Sequence, residues 1–251
     1  MGSASTGGTD PGSTLERLRS LCPTVSVGIL SADLMDLSAD LTLLEQAGVG
    51  IVHFDVMDGR FCPQLTVGPA YVKGVRTRLL KDVHLMIHEP LDRLPDYVAA
   101  GADIITVQLE AAIHIHRVLQ RLGSVEHAAG DGRRLVRGLA LNPATPLEWL
   151  APPLLDEVDL IVLLAVDPGW RGQKFILATM ERISRVKELV AAAGKDILIC
   201  VDGGITRENI AAVSAARADL VVTGSAVFDG RAPTENARFM LSAMAGSASP
   251  R

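Results

Sequence analysis

The sequence has few of the features that mark secreted, membrane or nucleic-acid-binding proteins. Three cysteines occur in 251 residues, and they form no C-x-x-C pair, so we expect reduced thiols in a cytoplasmic protein rather than a disulfide scaffold. No apolar run reaches the roughly 18 residues that a membrane span needs. The net charge of −5 argues against a nucleic-acid partner. We therefore expect neither a membrane nor a nucleic acid as partner.

The beginning of the chain also lacks the charged and apolar regions of a signal peptide. Its richness in Gly and Ser predicts a flexible N-terminal extension over residues 1–22. A single domain is predicted over residues 23–244, followed by a disordered tail over 245–251.

Within this domain, short β-rich runs alternate regularly with helical segments. The predicted strands cover residues 25–30, 50–55, 82–87, 103–108, 136–141, 159–166, 197–201 and 219–223. The predicted helices cover residues 33–46, 69–80, 90–100, 111–122, 146–155, 175–192, 206–216 and 234–244. The strands are largely continuous apolar runs, which indicates parallel strands buried on both faces.

A doubly wound sheet and a barrel both fit parallel strands. No G-x-G-x-x-G follows the first strand, which weakens a dinucleotide-binding sheet. Eight regular βα units favour an α/β fold of the (β/α)8 TIM barrel type.

Polar side chains stand where several of the predicted strands end, which is where such barrels place their chemistry. His53 and Asp55 lie two apart in the second strand and so point to the same face. Taken alone, they could form a structural hydrogen bond. Together with His84 and Asp202 they form a mixed nitrogen and oxygen set suited to Zn²⁺, Fe²⁺, Mn²⁺ or Co²⁺. Further polar residues at strand ends are Gln108, Asn142 and Asp167.

Glycine-rich loops follow strands six, seven and eight. Glycine allows backbone N–H groups to approach an anion closely, and loops seven and eight of such barrels commonly bind phosphate. Ordinary tight turns are the alternative, but three neighbouring loops favour a small phosphorylated substrate. The candidate phosphate-binding residues are Gly169, Trp170, Arg171, Gly172, Gly203, Gly204, Gly224 and Ser225.

Several motifs, in chain order, resemble the ribulose-phosphate 3-epimerase family. They are GILSAD (28–33), HFDVMDG (53–59), VHLM (83–86), LNPATP (141–146), VDPGW (166–170), VDGG (201–204) and GSAVF (224–228). The resemblance runs from about Val25 to Phe228. It implies a metal-dependent (β/α)8 barrel that inverts C3 of a ketopentose 5-phosphate. The reaction expected from the resemblance is the conversion of D-ribulose 5-phosphate to D-xylulose 5-phosphate.

The resemblance also implies roles for individual residues. One divalent ion would be held by His53, Asp55, His84 and Asp202, and Zn²⁺ is the ion expected before Fe²⁺, Mn²⁺ or Co²⁺. Asp55 and Asp202 would also be the paired acid and base, acting through a metal-stabilised enediolate. Met57 and Met86 match methionines that surround the reacting carbons, although they could equally be core residues. Family members are often dimers or hexamers, so a homo-oligomer is expected.

The chain departs from the family at several positions, four of which bear on the predicted site. Gly28 replaces a serine, Gln108 a histidine, Asp167 an asparagine and Arg171 a glycine. Asp167 brings the sixth loop closer to the allulose-6-phosphate 3-epimerase branch. Two alternatives therefore stay open: an epimerase for allulose 6-phosphate or a tetrulose phosphate, and a non-catalytic phosphate-binding barrel.

Overall fold

Eight parallel strands close into one barrel, in which each strand pairs with its neighbours in chain order and β8 pairs with β1. The computed structural model describes residues 13–130, 132–170 and 172–246. The strands are β1 Thr24–Gly28, β2 Ile51–Met57, β3 Leu80–Met86, β4 Ile104–Gln108, β5 Val136–Leu141, β6 Leu160–Leu164, β7 Leu198–Asp202 and β8 Leu220–Thr223. All eight predicted strands are found, and the predicted TIM barrel is confirmed.

Helices alternate with the strands around the outside of the barrel. They are α1 Thr14–Leu21, α2 Leu37–Ala47, α3 Pro69–Gly74, α4 Leu94–Ala99, α5 Ile115–Gly123, α6 Pro152–Leu155, α7 Ala178–Ala192, α8 Ile210–Ala215 and α9 Pro233–Ala245. Among the described residues, none of these helices is both long and apolar enough to cross a bilayer.

All the predicted helices except the last are shorter in the structure, and two of them show a physical reason. The helix predicted over 69–80 ends at Gly74, because Leu80 belongs to β3 and is fully buried in the barrel interior. The helix predicted over 146–155 is divided into a 3-10 turn, Leu147–Trp149, and α6. Pro152 and Pro153 explain the break, since proline fits the first turn of a helix but not its interior.

The barrel interior is apolar at the amino ends of the strands and becomes polar towards their carboxyl ends. Its apolar side chains are all buried and come from alternate positions of the strands. They include Ile51, Leu80, Ile104, Val136, Leu160, Leu198 and Leu220. Polar inward-facing side chains become more frequent towards the loops that follow the strands, but Ser26 and Asp82 lie deeper, as registered partners of Ile51 and Ile104.

Helix α1 closes the amino end of the barrel. A capping box starts the helix, in which the Glu16 backbone N–H donates to Ser13 Oγ and the Ser13 N–H donates to the Glu16 carboxylate. Leu18 is fully buried in the same cluster as the barrel interior. The Leu21 side chain lies against Gly50, where a Cβ would approach it to 2.7 Å.

Residues 14–21 of the predicted N-terminal extension therefore form a helix that packs on the barrel. The sequence does not reveal the packing partners of Leu18, because they lie at distant strand starts. Residues 1–12 and 247–251 lie outside the described residues, so the rest of the predicted domain boundaries stay predictions.

Shortening Leu18 tests this packing. Leu18→Ala should lower the free energy of unfolding by about 2–5 kcal/mol, because it leaves a cavity in a fully buried site. Leu177→Ala is the matched control, since Leu177 is 80% exposed and its loss should change stability by less than about 0.5 kcal/mol. Urea unfolding followed by circular dichroism measures both. Equal stability of the two variants would show that α1 does not close the barrel.

Candidate active site

Four side chains at the carboxyl ends of three strands converge on one point. His53 and Asp55 come from β2, His84 from β3 and Asp202 from β7. Asp55 and His84 are registered partners across the β2–β3 pair, which places their side chains next to each other. One ligand atom from each of the four residues lies within 4.8 Å of all the others. The two histidines and Asp202 are buried, and Asp55 is half-buried.

His53 is held between two carboxylates. Its Nδ1 lies 2.8 Å from Asp82 Oδ2, and the Ser26 hydroxyl donates to the same oxygen at 2.9 Å. Its Nε2 faces the cluster, 3.2 Å from Asp55 Oδ1. Burial would lower the pKa of His53, but Asp82 and then Asp55 outweigh it and raise that pKa well above its usual value. The surroundings therefore favour positive charge at this point.

His84 turns its other nitrogen to the cluster. Its Nε2 lies 3.1 Å from the side-chain amide of Gln108. Its Nδ1 lies 3.3 Å from Asp202 Oδ2 but makes no hydrogen bond, although the imidazole is fully buried. A buried nitrogen without a hydrogen bond is rare. Two nitrogens and carboxylate oxygens that face one point form a donor set that fits Zn²⁺, Fe²⁺, Mn²⁺ or Co²⁺.

A cavity of about 740 Å³ lies directly above this cluster. Asp55 and Asp202 form part of its floor, and the side chains of Leu34 and Leu65 form part of its apolar rim. The cavity brings together most of the residues predicted for the substrate. These are Gly28, Met57, Met86, Asp167, Gly169, Trp170, Gly172, Gly203, Gly204, Gly224 and Ser225.

The glycine loops pack tightly against each other at one side of the cavity. Gly203 has φ +98°, and a Cβ there would lie 2.4 Å from Val166 Cγ2. Only glycine combines this conformation with this close approach. The Gln173 side chain orders the sixth loop, since its amide accepts from the Asp167 N–H and donates to the carbonyls of Asp167 and Trp170.

Of the described residues predicted for the substrate, Gln108 and Asn142 do not line the cavity. Gln108 is fully buried beneath it, at the back of His84. Asn142 lies beyond the end of β5, where its N–H donates to Glu110 and its carbonyl accepts from Arg182. These contacts hold the Asn142 backbone towards α7 rather than the cavity. Arg171 lies outside the described residues.

The sequence prediction missed Asp82, the residue that contacts His53 from behind. Asp82 precedes His84 by two positions on the same face of β3 and is the registered partner of His53. The available signal was this spacing, but Asp82 stood at the predicted strand boundary and was not taken as inward-facing. Ser26, its hydrogen-bond partner, is also buried in the barrel interior.

Comparison with known proteins agrees with this geometry. The sequence model of the Ribulose-phosphate 3 epimerase family matches residues 24–228. Ribulose-phosphate 3-epimerase of Escherichia coli K12 is 42% identical over 209 residues, which cover 82% of this chain and 88% of that protein. The chain belongs to the ribulose-phosphate 3-epimerase family. The enzyme of the same name from Bacillus subtilis is also 42% identical, over 81% of this chain and 91% of that protein.

Membership of the family makes the chain an enzyme of the epimerase class, which confirms the predicted class of activity. The alternative of a non-catalytic barrel is set aside. The solved structure of KGPDC from Streptococcus mutans covers 91% of this chain and 100% of that chain with a TM-score of 0.64 and 14% identity, which shows a shared barrel fold. The predicted assembly state and cellular location stay predictions.

Proposed function

We propose that the enzyme interconverts D-ribulose 5-phosphate and D-xylulose 5-phosphate by moving a proton at C3, with one divalent metal ion in the site. The observation that carries this proposal is the pair of carboxylates, Asp55 and Asp202, on the floor of the cavity within a four-residue cluster that fits a metal. The curated relatives from E. coli and B. subtilis bear the name of the same reaction, which supports the substrate.

Inversion of a carbon next to a ketone explains the need for two carboxylates. One carboxylate removes the C3 proton from one face of the substrate, and the other, in its protonated form, returns a proton to the opposite face. Asp55 and Asp202 come from β2 and β7, so the two groups approach the cavity floor from different strands. The return reaction uses the same two groups in exchanged roles.

The proposed ligands are His53 Nε2, His84 Nδ1 and the carboxylates of Asp55 and Asp202. A bound divalent ion supplies Lewis-acid stabilisation of the negative charge that develops on the substrate oxygens. The chain itself orients the two imidazoles through Asp82 and Gln108, which lie behind them. It also limits access of water, because His53, His84 and Asp202 are buried at the closed end of the cavity.

The phosphate is proposed to lie against the loops that follow β6, β7 and β8. Gly203 and Gly204 have positive φ, and Gly224 and Ser225 begin the turn after β8. Such glycine turns present backbone N–H groups without side chains in the way. A site of this kind allows an acidic protein to bind an anionic substrate.

Two residues in the cavity bear on the choice of substrate. A Cβ on Gly28 would lie 3.7 Å from the Gly224 Cα, an ordinary contact, so the missing side chain leaves room in the cavity. Asp167 also lines the cavity and is the residue that resembles the allulose-6-phosphate branch.

An assay on several ketose phosphates tests the choice of substrate. The metal-loaded enzyme is assayed on ribulose 5-phosphate, allulose 6-phosphate and a tetrulose phosphate. The highest kcat/KM is expected for ribulose 5-phosphate, and a higher kcat/KM for another ketose phosphate would contradict the proposed substrate.

Removal of either floor carboxylate tests the two-carboxylate mechanism. Asp202→Asn and Asp55→Asn should each lower kcat for epimerisation by at least about 10³-fold, because each removes a proton-transfer group and a metal ligand. Asp92→Asn, which changes an exposed carboxylate, is the control and should keep full activity. Epimerisation and the exchange of the C3 hydrogen with D₂O are measured in parallel. Substantial epimerisation by either cluster variant would contradict the mechanism.

The carboxylate behind His53 gives a separate prediction on metal binding. Asp82→Asn should weaken Zn²⁺ binding by about 10–100-fold, because a carboxylate hydrogen-bonded to a ligating histidine orients it and raises its basicity. Ser26→Ala removes one hydrogen bond from Asp82 but keeps its charge, so a smaller loss is expected. Titration against a chromophoric chelator measures both. Wild-type affinity in Asp82→Asn would contradict the assigned role.

A further inference from the structure

The Nε2 atom of His84, which points away from the cavity, belongs to a buried hydrogen-bond network. Gln108, at the end of β4, lies 3.1 Å from His84 Nε2 and has no exposed surface. The other ring nitrogen, Nδ1, faces Asp202. Both nitrogens of this imidazole therefore have defined surroundings, and the hydrogen can be assigned to one of them.

The orientation of the Gln108 amide follows from its remaining neighbours. The Ala140 carbonyl lies 3.2 Å away and Glu110 Oε2 3.1 Å away, and both accept hydrogen bonds. The amide nitrogen must therefore face these two oxygens, and the amide oxygen faces His84 Nε2. The opposite orientation would place the amide oxygen against a carbonyl and a carboxylate.

Glu110 is itself fixed, which prevents the amide from turning over. Its Oε1 accepts from the Asn142 backbone N–H at 2.8 Å and from the Thr145 hydroxyl. Arg182 of α7 completes the network by donating to the carbonyls of Thr145 and Asn142. The network thus links the orientation of Gln108 to the segments that follow β4 and β5 and to α7, all outside the cavity.

We propose that Gln108 is a positioning residue that holds His84 in the tautomer with its hydrogen on Nε2, so that the Nδ1 lone pair faces the metal cluster. A neutral imidazole has one N–H donor and one nitrogen lone pair. If the Gln108 amide oxygen accepts from Nε2–H, the lone pair is on Nδ1. A histidine at position 108, the residue that the family resemblance leads one to expect, could act as donor or acceptor and would not fix the tautomer by itself. The inference rests on the proposed metal site.

The tautomer is measured directly in the metal-free enzyme. Two-bond ¹H–¹⁵N correlation spectra of protein labelled at the histidine rings should show a protonated Nε2 and an unprotonated Nδ1 for His84. Loss of the signals in His84→Asn assigns them. A hydrogen on Nδ1, or a mixture of the two neutral forms, in the wild-type enzyme would overturn the proposal.

Metal affinity supplies the second readout. Gln108→Leu removes the acceptor and should weaken Zn²⁺ binding by about 10–100-fold. Thr106→Val is the matched control, since Thr106 lies on the same strand as Gln108, is the buried registered partner of His84 on β3, and has a hydroxyl that makes no hydrogen bond. This control should bind Zn²⁺ as the wild type does. Gln108→His, which restores an acceptor, should bind more tightly than Gln108→Leu.

Two results would contradict the assignment to Gln108. One is unchanged affinity in Gln108→Leu, and the other is an equal loss in Thr106→Val, which would indicate general damage to the barrel interior. If Gln108→Leu does not fold, the tautomer of His84 in the wild-type enzyme still decides. If the wild-type enzyme binds no metal, the proposed function fails, while the spectrum of the metal-free enzyme still tests the role of Gln108.

Discussion

The closed end of the cavity depends on one constraint, namely that charged side chains buried in a barrel must have partners. Isolated carboxylates and imidazoles in an apolar interior are costly, and they persist only when they are paired, hydrogen-bonded or bound to a metal. Here His53 lies between Asp82 and Asp55, and His84 lies between Gln108 and Asp202. The raised pKa of His53 expresses the same constraint, since the surrounding carboxylates favour a positive charge at this point more than burial disfavours it.

The fold supports this cluster from below and from the side. Buried apolar layers around Ile51 and Leu80, together with Leu18 of α1, lie beneath it. At the side, Glu110 and Arg182 join the loops after β4 and β5 to α7, so that Gln108 is held by contacts outside the cavity. Stability and chemistry therefore occupy opposite ends of the same strands, as is common in this fold.

The sequence alone predicted the barrel and the four clustered residues, because both depend on patterns that are local in the chain. Continuous apolar runs mark buried parallel strands, and a polar residue at the end of such a run must face the cavity or a partner.

The sequence alone did not predict the role of Asp82 or the packing of α1. Asp82 stands at a strand start, where a polar residue usually indicates a boundary, and its inward direction depends on the register with His53. Leu18 packs against residues that only the closed barrel brings together. Gln108 was correctly placed at a strand end, but its position behind His84, rather than in the cavity, depends on its contacts with Glu110 and Ala140.

The proposed mechanism requires that one divalent ion is held by His53, Asp55, His84 and Asp202. Anomalous diffraction from Zn²⁺-loaded crystals, collected on both sides of the zinc absorption edge, tests it most directly. One peak is expected among these four side chains, about 2.0–2.2 Å from His53 Nε2, His84 Nδ1 and carboxylate oxygens of Asp55 and Asp202. Absence of a peak there in crystals of enzyme that turns over substrate, or a peak bound by other residues, would contradict it.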